Sequence, residues 1–138
     1  MTPFRVLAFA ALVLTLVVSG CGGSGLVEVS GRLMHDGKPV PSTRVVFQPD
    51  DGSRRSTGVT NDDGYFTLQY AREQSGAKPG PCTVFVKYDM SIDEELHKIQ
   101  PKASKELRKV IDKYGDPKTS KLHYDITHSG QFVEVVLP

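Results

Sequence analysis

The sequence predicts an all-β protein, a seven-stranded Greek-key β-sandwich interrupted once by a helical insert. Three observations lead there. Short runs of alternating apolar and polar residues recur along the chain, which is the period of half-buried strands. Turn formers separate the runs, with 13 glycines and 9 prolines among 138 residues. Only residues 91–115 change to helical spacing, so a short insert precedes the last two strands. Seven short strands with turns between them form the sandwich pattern.

The chain begins with a segment of a different kind. Residues 1–5 form an n-region with one positive charge, Arg5, and residues 6–18 are almost wholly apolar. Such a run is too short to span a bilayer comfortably and has the form of a secretory h-region. It closes on Val18-Ser19-Gly20-Cys21. Small residues before a cysteine at this point resemble the lipobox of bacterial lipoproteins. The resemblance implies diacylglyceryl transfer to Cys21, cleavage before it and N-acylation of the new terminus. Residues 1–20 are then a signal peptide, residues 21–26 a lipidated cysteine with a Gly/Ser-rich tether, and residues 27–138 the folded domain. Each buried methylene contributes about 0.8 kcal/mol, so several acyl chains on Cys21 hold firmly where one holds marginally.

In the domain, Val27, Val29, Gly31 and Leu33 alternate with Glu28, Ser30 and Arg32, giving a first strand. His35-Asp36-Gly37-Lys38-Pro39 is a turn, and Pro39 and Pro41 keep the next segment out of helix. Val45 and Phe47 alternate with Arg44 and Gln48 in a second strand that stops at Pro49. Residues 50–55 are polar and lead into a hairpin over residues 56–70. Its turn is Asn61-Asp62-Asp63-Gly64, where Asn and Asp bond their own backbone and glycine takes positive φ. After it, Phe66, Leu68 and Tyr70 alternate with Tyr65, Thr67 and Gln69 as one strand. Cys82, Val84, Val86 and Tyr88 share a face of the next strand.

The insert opens with Ser91 and Glu94 at capping-box spacing, and Ile92, Leu96 and Ile99 follow at helical intervals until Pro101. Leu107, Val110, Ile111 and Tyr114 then make an apolar stripe that Gly115 and Pro117 end. Residues 122–127 and 132–137 are the closing strands. Val46, Phe85, Phe132 and Val136 fall opposite the presumed core. The insert is expected to cover an outer sheet face made by these four.

Charge and cysteine content narrow the function classes. Lysine and arginine number 17 against 16 acidic residues, and removing residues 1–20 takes Arg5 away, leaving 16 of each. Neither a nucleic-acid footprint nor a polybasic lipid patch is indicated. With Cys21 acylated, Cys82 is the remaining thiol and no intramolecular disulfide forms.

Five segments run in an order that resembles a known family: Val29-Ser-Gly-Arg-Leu, Asp36-Gly-Lys-Pro-Val, Val45-Val-Phe-Gln-Pro, Gly58-Val-Thr-Asn-Asp-Asp-Gly-Tyr-Phe and Gly80-Pro-Cys-Thr-Val. They resemble the carboxypeptidase regulatory-like domains, a transthyretin-like (prealbumin-like) sandwich group. The tail Lys113-Tyr-Gly-Asp-Pro-Lys-Thr-Ser-Lys-Leu is similar to small bacterial envelope lipoproteins carrying that domain. The match runs from Val27 to Leu137 and departs at Cys82, where the family has an aromatic residue. It implies an accessory β-domain and does not imply peptidase activity. Related transthyretin-like hydrolases acting on 5-hydroxyisourate use histidines, an arginine and a tyrosine-containing C-terminal tetrapeptide. This chain ends Val135-Val-Leu-Pro, so that activity is not carried over.

No residue set points to catalysis, and no cofactor is expected. Asp50, Asp51, Asp62 and Asp63 are weak calcium candidates, since calcium needs six to eight converging oxygens and an EF-hand spacing is missing. The simpler reading of both acidic turns is solvated Asx chemistry. His35, His97, His123 and His128 are scattered and lack zinc-site spacing. Cys82, on a strand with Val84 and Val86, reads as a small buried hydrophobe. The expectation is a lipid-anchored, non-enzymatic module of the cell envelope that binds protein or glycan or is structural. Its anchor is expected in an outer membrane, because Gly22 follows the cysteine. A small-molecule or carbohydrate binder is the alternative, weakened by the lack of tryptophan, and a transthyretin-like hydrolase ranks last.

Overall fold

The computed structural model describes residues 25–88 and 105–138. The expected signal segment, Cys21, the expected capping box at Ser91, the first half of the insert and His97 lie outside them. Two sheets pack face to face. The first is built on β1 (Val29–His35), which pairs in parallel along its full length with β10 (Gln131–Leu137). On the other side β1 takes two antiparallel partners, β2 (Lys38–Pro39) and β5 (Tyr65–Thr67). The second sheet is antiparallel, in the order β7 (Gln74–Ser75), β6 (Gln69–Ala71), β4 (Ser56–Val59), β3 (Thr43–Pro49), β8 (Gly80–Tyr88), β9 (Leu122–Ile126).

The pleat sorts the side chains. On β1, Val29 and Leu33 are buried, and on β10 so are Val133, Val135 and Leu137. Val45 and Phe47 on β3 and Val84 and Val86 on β8 meet them from the second sheet. Phe47 touches Phe66 and Tyr124, with ring centroids 6.1 and 6.3 Å away. These residues form one hydrophobic cluster between the sheets.

Three expectations need correction. The seven anticipated strands become ten among the described residues, because pairing partners subdivide the runs. Residues 65–70 do not form one strand. The ladder passes Tyr65, Phe66 and Thr67 to β1 and Gln69 to β4, so the chain changes sheet at Leu68. Leu68 N–H donates to Val29 O across 2.9 Å, and its carbonyl accepts from Gly76 N–H. The expected hairpin is accordingly a corner: β4 continues the second sheet while β5 belongs to the first.

The insert also packs differently. Its described helix, α1 (Lys105–Tyr114), lies against β8, and Ile111 and Tyr114 join the inter-sheet cluster with Val84 and Val86. The four residues expected to share an outer face are divided between sheets. Val46 and Phe85 are register partners in the second sheet and are buried, whereas Phe132 and Val136 lie on β10 of the first and are exposed. A single cover over all four is therefore excluded by the register.

Candidate functional site

The Asn61–Gly64 turn orders the corner from which the exposed surface is built. Asn61 Oδ1 accepts from the backbone N–H groups of Asp63 and Tyr65, both at 3.0 Å. Gly64, at φ +80°, turns its carbonyl onto β1, where Leu33 N–H donates to it across 2.8 Å. Arg32 Nε donates to Asp63 O at 2.9 Å. The turn thus sits on β1 and sets the entry of β5 beside it.

That placement composes the outer face of the first sheet. Tyr65 pairs with Arg32, and Phe132 pairs with Ser30 on the other side of β1. Tyr65 is 44% exposed, Phe132 56% and Val136 50%, high values for large apolar side chains. The Tyr65 and Phe132 rings lie 6.3 Å apart and tilted by 55°. The Arg32 guanidinium stands 4.8 Å from the Tyr65 ring centroid, a cation–π distance. Val59, also exposed, faces the same shallow depression of about 410 Å³, which Asn61, Thr67 and Ser30 complete. Glu134, paired with Arg32 across the β1–β10 ladder, adds an acidic group to this face. The surface is an aromatic and aliphatic patch with a polar margin, the make-up of a contact surface.

The calcium candidates do not come together. Asp50 and Asp51 follow β3 beside the start of β4, whereas Asp62 and Asp63 follow β4 at the other end of that ladder. Asp51 is already engaged: Ser53 N–H donates to it at 2.9 Å, the Ser53 hydroxyl donates as well, and Lys78 Nζ lies 2.8 Å away. The Lys78 and Ser53 bonds hold its carboxyl far below the usual carboxylate range. Asp50 accepts from the Thr83 hydroxyl at 2.9 Å. No group of three or more His, Cys, Asp or Glu able to hold a metal occurs among the described residues. The described histidines are separated too. His35 approaches Leu137 O, His123 approaches the Thr83 hydroxyl, and His128 lies in the turn before β10 beside Thr127.

Cys82 is 1% exposed and belongs to the core cluster. Burial, with Asp50, Asp125 and Asp51 nearby, pushes its thiol up to about 11 from 9.0. A folded value above the unfolded one means the contribution to stability is complete below pH 9 and is lost as pH rises toward 11. Cys82→Ala is expected to flatten the alkaline fall of the denaturation midpoint in that window. An unchanged pH profile would show that Cys82 does not carry it.

Sequence reasoning placed Phe132 under a cover together with Phe85. The structure puts Tyr65 beside Phe132 instead, and Phe85 lies buried in the second sheet. The available signal was the shared parity of Phe132 and Val136, both outward on a strand whose inward residues are Val133, Val135 and Leu137. No helix among the described residues is long and apolar enough to cross a membrane. No family model, curated protein or solved structure matches the chain.

Proposed function

We propose that this chain is a lipid-anchored, non-catalytic β-sandwich module of the cell envelope that binds a protein partner. In this reading it is a carboxypeptidase regulatory-like, Greek-key domain tethered through acylated Cys21, with an outer membrane as its site. The observation that carries the binding role is the exposed Tyr65–Phe132 pair with Arg32 against Tyr65. Aromatic and arginine side chains are the groups that anchor protein interfaces. The 55° tilt between the rings does not give the flat platform that a sugar ring stacks on, and Val59 and Val136 extend the patch with branched aliphatic groups. Both features favour protein over glycan.

Affinity capture from envelope extracts tests the two halves separately. Tyr65→Ala with Phe132→Ala is expected to lower recovery of the bound protein at least tenfold, an effect of hot-spot size. Because both side chains are exposed, the melting temperature is expected to stay within a few degrees. Cys21→Ser is expected to move the protein from the membrane to the soluble fraction. Unchanged capture by the double variant would overturn the contact surface, and unchanged membrane association of Cys21→Ser would overturn the anchor.

A further inference from the structure

A second surface, on the opposite sheet, is charged rather than apolar. Arg54, Arg55 and Arg72 line a cleft of about 480 Å³ along β4 and β6, together with Thr57, Gln69 and Tyr70. Arg54 Nε donates to Tyr70 O at 2.9 Å, and its guanidinium carbon lies 5.6 Å from the Tyr70 ring centroid. One arginine is thus fixed by its Nε and by the ring. Its terminal amino groups, and the guanidinium groups of Arg55 and Arg72, make no hydrogen bond or ion pair among the described residues. No carboxylate lines the cleft, although Glu73 follows Arg72 in the β6–β7 turn. Three arginines gathered without an acid, in a chain whose charges otherwise nearly balance, repel one another unless an anion joins them. A guanidinium held by its Nε presents two parallel N–H donors, the fork that matches phosphate oxygens.

The position of the cleft selects the source of the phosphate. Val27 exchanges both backbone hydrogen bonds with Ala77, at 3.0 and 2.9 Å, so the tether leaves the domain beside the end of β7. Gly76, at the base of the β6–β7 hairpin, bonds Leu68 O, and Arg72 stands at the tip, roughly 13 Å along a strand. The chain from Cys21 to Leu26 can reach at most about 18 Å. A bilayer holding Cys21 therefore lies within reach of the hairpin that carries the cleft.

We propose that the Arg54–Arg55–Arg72 cleft is a phosphate-binding site that takes the headgroup of an anionic phospholipid in the anchoring membrane. The choice of source rests on the lipid-anchor reading; the phosphate chemistry rests on the arginines. The site would orient the domain, turning the hairpin edge to the bilayer.

The test uses the full chain in neutral detergent micelles, with the arginine Nε–Hε signals followed by NMR. Phosphatidylglycerol mixed into the micelles is expected to shift the Arg54, Arg55 and Arg72 signals saturably, while phosphatidylcholine leaves them in place. Each arginine near an anionic surface contributes about fivefold in affinity, so Arg54→Gln with Arg72→Gln should weaken the phosphatidylglycerol response, read at the remaining Arg55 signal, roughly 25-fold. No shift with phosphatidylglycerol in the unsubstituted chain would overturn the site. An equal response to inorganic phosphate would overturn the headgroup assignment. Intact mass of the same sample reads acylation of Cys21 independently: a lipid response on an unacylated chain supports the site while removing the anchor.

Discussion

Gly64→Val is expected to be among the most damaging single substitutions in the domain, lowering stability by about 2–6 kcal/mol. Two costs combine. A β-branched residue at φ +80° carries roughly 1–3 kcal/mol of strain. A side chain there also has no space, since a Cβ would meet Leu33 O at 2.7 Å and Pro39 Cβ at 3.0 Å. Overpacking of that kind adds roughly 1–3 kcal/mol. Gly37 supplies the control, with φ +72° and nothing within 4 Å of the position a Cβ would take. Gly37→Val carries the strain alone, so it should melt well above Gly64→Val; a shift of several degrees separates them per kcal/mol. Equal melting temperatures would contradict the seating of the turn on β1.

Phe66→Ala is expected to cost about 3–5 kcal/mol, the range for emptying a buried aromatic site. Phe66 is 3% exposed and occupies the corner where the chain leaves one sheet for the other. Two glycines make room for its ring. A Cβ on Gly31 of β1 would meet Phe66 Cζ at 2.5 Å, and one on Gly58 of β4 would meet Phe66 Cδ2 at 3.2 Å. The ring therefore fills space left by a glycine from each sheet, and alanine leaves that space empty. Phe66→Leu should recover most of the loss in chemical denaturation. A loss below about 1 kcal/mol for Phe66→Ala would show that the corner collapses around the gap.

Local alternation was enough to locate β1, β9 and β10, where one face is apolar and parity assigns it, and β3 and β8, which also bury Val46 and Phe85 on their other face. It did not reveal that residues 65–70 divide between sheets. Phe66, Leu68 and Tyr70 alternate as a single strand would, and the break at Leu68 arises from its hydrogen bonds to Gly76 and to Val29, the latter distant in sequence. The parallel union of β1 with β10 is equally non-local, joining Val29 to Gln131. The insert's stripe was legible as apolar, yet its destination depended on β8, and Ile111 turned to the core.

The candidate surfaces were legible in the same partial way. Tyr65 and Phe132 each have outward parity, but their contact needs β1 between them in the observed register. The polar character of residues 50–55 is legible in the sequence and locates Arg54 and Arg55. Arg72 joins them only through the pairing of β4 with β6 at Thr57 and Gln69.

Site-specific photo-crosslinking tests the central claim, that the outer face of the first sheet contacts a protein, most directly. A photoreactive phenylalanine analogue would replace Phe132, and in a parallel sample Lys118, which is exposed in the loop after α1. Irradiation of intact envelopes is expected to give one discrete crosslinked protein from position 132 and none from position 118. The same product from both positions, or none from position 132, would contradict the account.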